Sequence, residues 1–250
     1  MAAIISNGTH MEFSIIYEDE NILVVDKPPG ITVFPEGPVR EKTLSQELLE
    51  KFSWMAGVGN PPRYGLVHRL DKDTSGILLV AKNNATLAFL QDQFKKRLVE
   101  KKYLTLAVGK IKDKRGVIET LIGRAPKDRR KQKAYPKIGA EEKTGLREAK
   151  TIWQKQGEFS DKTNVYTLLE VQPETGRKHQ IRCHLAYLGH PVSGDKLYAF
   201  KSQPTPKALT RQFLHASYLK IKLPTGKEIE IKSDLPPDLT QILKNLTPEK

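Results

Sequence analysis

The order of the apolar patterns constrains this chain more than any single motif. Roughly nine or ten segments have strand character, and they do not alternate regularly with helical ones. EFSIIYED and NILVVDKP read as two strands joined by an acidic turn at Asp19-Glu20-Asn21. TLSQELLEKF (43–52) predicts a short helix, with Thr43 as N-cap and Leu44, Leu48 and Leu49 on one face. GLVHRL and GILLVAK read as strands on either side of a charged loop. In NNATLAFLQDQFKKRLVE, Leu87, Leu90, Phe94 and Leu98 recur at helical spacing. KKYLTLAVG alternates as a strand, placing Leu104, Leu106 and Val108 on one face and Tyr103, Thr105 and Ala107 on the other. GVIETLI, AKTIWQ, NVYTLLEVQP, FLHASYLKIKLP and EIEIKS add strands. HQIRCHLAYLG predicts a helix ended by Gly189 with Pro191 beyond it, and PDLTQILKNL a helix with proline at its start. About four helices among so many strands predict an α+β fold with a mixed, largely antiparallel sheet rather than a doubly wound one. The basic stretch RAPKDRRKQKAYPK (124–137) breaks the pattern and reads as a mobile loop.

A length of 250 residues suits one large domain or two small ones. No run of about 18 apolar residues occurs, so no membrane-spanning helix is expected. The single cysteine, Cys183, excludes an internal disulfide framework and fits a reducing cytoplasm. His10-Met11 stands directly before a strand and resembles a cloning junction, so residues 1–11 are expected to be a vector-derived or disordered N-terminus. Lysine and arginine number 42 against 29 acids, a net charge of +13. Such an excess points to a polyanionic partner, of which nucleic acid is the commonest.

Two stretches carry chemistry. VHRLDKDTSGILLVAK (67–82) crowds His68, Arg69, Asp71, Lys72 and Asp73 just before a buried strand. A carboxylate framed by bases and fixed by a strand suits a nucleophile or base, and equally suits a salt-bridged loop. Asp71 and Asp73 are a poor glycosidase pair, since such carboxylates must flank a bond from two directions. In PETGRKHQIRCHLAYLGHPVSGDKLY (173–198), a helix opens with Arg177, Lys178, His179 and Arg182 in its first turns, where anions are well received. His179 and Arg182 share one face; Ile181, His184, Leu185 and Leu188 share an inward one, with His184 read as a core histidine. His179 and His184 lie roughly 140° apart around the axis and make a poor metal pair. No cysteine cluster, Walker loop or GxGxxG is present, so neither metal nor nucleotide cofactor is expected.

These motifs, taken in order, resemble the RluA-type pseudouridine synthases. HRLDKDTSG is similar to that family's HRLD motif, and TGRKHQIRCHLAYLGHPVSGDKLY to its GRxHQIRxHL…GHPIxGDxxYG segment. VEKKYLTLAVGK, NILVVDKPPGITVFP and FLHASYLKI match three further family segments, and the matches run from about residue 12 to 235. Phe34 stands where the family often has histidine, and Ala199 where glycine commonly follows the tyrosine. The resemblance implies a single catalytic domain over 12–250 without an S4 domain, a central mixed sheet with an active-site cleft, and isomerisation of uridine in ribosomal or transfer RNA by a cytoplasmic monomer. It makes Asp71 the catalytic aspartate, Arg182 the arginine paired with it, and Tyr103 the tyrosine that stacks on the target base. Arg69 matches the arginine that fills the gap left by a flipped base, and Lys101 the KxY lysine. His68, Arg177, Lys178 and His179 are expected beside the RNA, with Arg129, Arg130, Lys131 and Lys133 as outer phosphate contacts. Two rivals remain open: a non-catalytic RNA-binding protein of the same fold, and a nucleoside glycosidase that releases free base.

Overall fold

A computed structural model describes residues 13–35, 41–138 and 144–249. The expectation about residues 1–11 lies outside the described residues.

The chain opens with a hairpin, β1 (Ser14–Glu18) and β2 (Ile22–Lys27). Asp19 forms its turn by accepting from the backbone N–H groups of Asn21 and Ile22 at 2.7 and 2.8 Å. Helix α1 (Leu44–Lys51) follows, its N-cap Thr43 donating backbone N–H to the Gln46 carboxamide at 2.8 Å. Strand β3 (Ser75–Ala81) is buried at every residue, as an unbroken apolar run requires. Helix α2 (Asn84–Lys96) begins at Asn83, whose side chain accepts from Thr86 N–H at 2.8 Å. It stops at Arg97, which takes a left-handed φ of 61°. Then come β4 (Glu100–Val108), β5 (Arg115–Arg124), β6 (Gln132–Tyr135), β7 (Arg147–Asp161), β8 (Asn164–Pro173), α3 (Gln180–Tyr187), β9 (Leu214–Lys222), β10 (Glu228–Lys232), α4 (Pro237–Asn245) and the short β11 (Thr247–Pro248).

Among the described residues, all eleven strands join one sheet in the order β1-β2-β3-β9-β4-β8-β7-β5-β6, with β10 against β9 and β11 against β7. The β3–β9 pair is parallel, through Ser75–His215 and Gly76–Ala216; the other pairs are antiparallel. The predicted α+β class and mixed, largely antiparallel sheet are therefore observed. On the β1–β3 half, Val24, Leu79 and Leu90 pack on one face while Leu23, Leu78 and Leu48 pack on the other. On the β4–β8 half, Leu169 and Leu185 meet on one face, and Tyr166, Phe213 and Leu239 on the other. The halves join at β3, β9 and β4, and the charged loop 67–74 sits at this seam.

Several local expectations fail for identifiable reasons. GLVHRL is not a strand; its contact with the sheet is an isolated Leu66–Val80 bridge. There the imidazole of His68 takes a ladder position, its Nε2 accepting from Leu79 N–H at 3.0 Å. The stretch 124–137 is not an irregular loop. It is a hairpin, with Lys131 N–H donating to Asp128 O, and Ala134 and Tyr135 buried opposite Ile122 and Leu121. Leu98 lies beyond the end of α2 and is exposed, as Leu188 is at the end of α3. Helix α3 begins at Gln180, so Arg177 and Lys178 precede it and His179 is its N-cap, with φ 55°.

Candidate active site

Asp71 is presented by a loop whose backbone is held from three sides. The ammonium of Lys27, at the buried end of β2, donates to the carbonyls of Pro28, Ile31 and Lys72 at 2.8, 3.0 and 2.9 Å. Gly30 N–H also donates to Lys72 O, at 2.9 Å. Arg211 donates to Asp73 O at 3.0 Å, and Gln212 to the Thr74 hydroxyl at 2.9 Å. Burial pulls Lys27 down to about 7, while three carbonyls facing three ammonium protons, with Asp73 and Asp71 nearby, work the other way.

The Asp71 carboxylate accepts from Arg182 Nη1 through Oδ2 at 2.8 Å. Arg182 reaches it from α3, where neighbouring Ile181 and Leu185 anchor the helix in the core. Its other edge is fixed by Asp195, which accepts from Nε at 2.6 Å and from Nη2 at 2.8 Å, and whose side chain is wholly buried. Asp195 also accepts from the backbone N–H groups of Leu197 and Tyr198. Burial works against the Arg182 charge, but the two carboxylates prevail and raise its pKa. The free Asp71 oxygen, Oδ1, lies 3.8 Å from His179 Nε2. Tyr198 accepts from Gln132 N–H at 2.7 Å and stands 3.1 Å from His179 Nδ1. In the tautomer in which the Tyr198 hydroxyl donates to Nδ1, the Nε2 proton faces Asp71. Burial lowers His179 and keeps it neutral.

A cavity of about 250 Å³ opens over Asp71, walled by Tyr103, Lys101, Arg69, Ile181, Arg182 and Leu214. Tyr103 reaches it from β4, where a bulge between Lys102 and Tyr103 re-aims the strand. Burial first, then the negative charge of Asp71, raise its pKa, so it stays a phenol. Lys101, pulled by burial to about 8, borders the same cavity. His68 is held neutral near 3 by burial and then by Lys101, and stacks on Phe94 with ring centres 5.1 Å apart. Phe34, the departure noted in the sequence, lies under two guanidinium groups, Arg63 at 4.6 Å and Arg69 at 5.2 Å.

The structure thus brings together Asp71, Tyr103, Arg182, Arg69, Lys101, Arg177, Lys178 and His179 around one cavity, with His68 just behind it. Arg129, Arg130, Lys131 and Lys133 do not join it; they occupy the β5–β6 hairpin, where Arg130 grips Asp128 through Nε and Nη2. His184 is a core residue, bonded to Thr120 and Thr151 at 2.9 and 2.8 Å. Among the described residues no group of three or more His, Cys, Asp or Glu side chains could hold a metal ion. Motif reading missed Asp195, Tyr198 and Lys27. The first two stand in GHPVSGDKLY, where polar residues beside buried ones were a signal; Lys27 is a cation closing an otherwise apolar strand.

Comparison with known proteins points to one family. A family model described as RNA pseudouridylate synthase matches residues 21–187. An uncharacterized RNA pseudouridine synthase of Aquifex aeolicus is 42% identical over 200 residues, covering 80% of this chain and 60% of that protein. One from Bacillus subtilis is 36% identical over 240 residues, covering 94% and 73%. The ribosomal large subunit pseudouridine synthase D of Nitrosomonas europaea is 37% identical over 237 residues, covering 92% and 64%. The chain thus spans under two thirds of the length of the Aquifex and Nitrosomonas proteins. The solved structure of human RNA pseudouridylate synthase domain containing 1 superposes with a TM-score of 0.77 at 29% identity, covering 98% of this chain and 92% of that one.

Proposed function

Because the chain belongs to the RNA pseudouridylate synthase family, we propose that it converts uridine within structured RNA to pseudouridine at the Asp71 cavity. The observation that carries this reading is a carboxylate tied by one oxygen to Arg182, with its other oxygen beside a cavity walled by Tyr103. The reaction breaks N1–C1′, turns the uracil, and joins C5 to C1′; the hydrogen at C5 leaves to solvent and N1 gains a proton. Atoms and oxidation state balance without a cofactor. Asp71 acts on C1′ or on the base, Arg182 holds it in place, and Tyr103 stacks on the uracil and assists loss of the C5 proton. Neither C1′ nor C5 is reachable inside a stacked helix, so the nucleotide flips out. Arg69, at the cavity rim, fills the vacated stack. The outer cations hold phosphates. Ribosomal and transfer RNA both fit; relatives named ribosomal large subunit pseudouridine synthase D make large-subunit RNA the first substrate to test. The enzyme works in the cytoplasm as a monomer.

RNA transcripts labelled with tritium at C5 of uridine test this. The wild type should release the label to water, and chelator should leave the rate unchanged. Asp71→Asn should abolish release while RNA affinity stays within a few-fold, since affinity comes mainly from phosphate contacts. Free uracil in the products would indicate a glycosidase. Binding without release by the wild type would indicate a non-catalytic RNA-binding protein.

A further inference from the structure

A second groove opens from the Asp71 cavity at Lys101. It has a volume of about 470 Å³ and runs between the end of α2 and residues 174–177. Lys101, Tyr103 and Arg177 line both spaces, so they form one continuous opening. The groove gathers Arg63, Lys95, Arg97, Lys101 and Arg177 around a single carboxylate, Glu174, which already pairs with Lys150 at 3.2 Å. Among the described residues, Lys95, Arg97 and Lys101 have no acidic partner. Burial, and then the like charges of Arg147 and Arg97, lower Arg177, which shows how closely these cations converge. Cations assembled without acids raise the free energy of an empty groove and attract an anion. One wall is different in kind: the stacked rings of His68 and Phe94, with Val99 beside them. A neutral ring wall suits a nucleobase, because every base has a stacking face. A third cavity bordering Asp71 carries Lys72, Lys178 and Lys196 as well as Asp73, with Lys72 already paired to Glu41, and gives a strand entering by the groove a second way out.

We propose that the groove between α2 and residues 174–177 holds the nucleotide adjoining the target uridine. The phosphodiester joining the two sits at Lys101, the neighbour's outer phosphate lies between Arg97 and Arg177, and its base rests on the His68–Phe94 wall. This rests on the RNA reading above and adds to it a defined subsite.

Dinucleotides test it as inhibitors of tritium release from labelled RNA: UpU, pUpU and UpUp. One terminal phosphate, at the 5′ or the 3′ end, should strengthen inhibition of the wild type by roughly three- to tenfold, and the end that does so gives the strand direction. Arg97→Asn should erase that advantage and leave UpU unchanged; asparagine is chosen because it tolerates the left-handed backbone at φ 61°. The same variant should lower the log–log salt slope of RNA binding by about 0.7. Lys227→Gln, an exposed cation in the turn between β9 and β10, removes equal charge outside the groove and should do neither. If neither terminal phosphate matters, or if Lys227→Gln matches Arg97→Asn, the subsite is refuted. Absence of release by the wild type refutes the catalytic reading instead.

Discussion

Asp195 occupies two of the three nitrogens of Arg182 and leaves one for Asp71. That division matters for chemistry. A guanidinium free to turn would grip Asp71 with both teeth of its fork, as arginine does with carboxylates generally, and Oδ1 would no longer face the cavity unbound. Asp195 is therefore a positioning residue acting through Arg182. Asp195→Asn keeps the shape and the acceptor for Leu197 and Tyr198 N–H but weakens the hold on Arg182. It should lower kcat by roughly a hundredfold, the scale of an ångström-sized misplacement, with KM within a few-fold. Arg182→Met should lose at least as much. A double-mutant cycle decides the point: if Asp195 works through Arg182, the pair Arg182→Met/Asp195→Asn should be no slower than Arg182→Met alone. Multiplying losses, or a wild-type kcat in Asp195→Asn, would refute the role. Circular dichroism and melting on each variant separate this from misfolding, because one partner of a buried pair left alone can cost about 3–5 kcal/mol.

At the scale of elements, the β5–β6 hairpin is where sequence and structure diverge most. Its basic residues suggested irregular chain, yet alternation sends Ala134 into the core, while Tyr135 on the opposite face is buried beneath Lys133, whose ammonium stands 5.2 Å from its ring centre. Gln132 N–H donates to Tyr198, so the hairpin touches the hydrogen-bond chain that ends at His179. The cations on it are not equivalent. Arg130 must give up Asp128 to meet a phosphate; Lys131 feels Asp128 only through its charge, and Arg129 and Lys133 have no acidic partner among the described residues. Neutralising Arg129, Lys131 and Lys133 together should lower the salt slope of RNA binding by about 0.7 to 0.9 per lost contact. Arg130→Gln alone should change it least. A slope that stays put in the triple variant would remove the hairpin from the RNA interface. The short element GLVHRL teaches the same lesson: its apolar residues suggested a strand, but His68 spends its imidazole on Leu79 N–H, and no periodicity reveals that exchange.

For the molecule as a whole, stability carries the mark of burying cations. Lys27 ionises near 10.5 when unfolded and is pulled by burial to about 7 in the fold; Lys101 falls to about 8 in the same direction. Between those values the unfolded chain holds protons the native one lacks, so these groups make native stability rise with pH from about 7 to 10.5 and leave it level below that window. Urea unfolding at pH 7 and pH 9.5 should show the wild type gaining on Lys27→Met at the higher pH; parallel curves would show that Lys27 does not titrate in this range. Most of the strands, the four helices, the α+β class and the candidacy of Asp71, Tyr103 and Arg182 were legible in the sequence, because period, caps and ordered motifs are local properties. Only the tertiary structure decided the rest. Asp71, Arg182 and Asp195 come from a loop, a helix and a later turn, and meet because β3 and β9 run parallel at the seam between two cores. Buried charges such as Lys27 and Asp195 find their partners in carbonyls and ions distant along the chain, and desolvation acts on a charge only once the fold has closed around it.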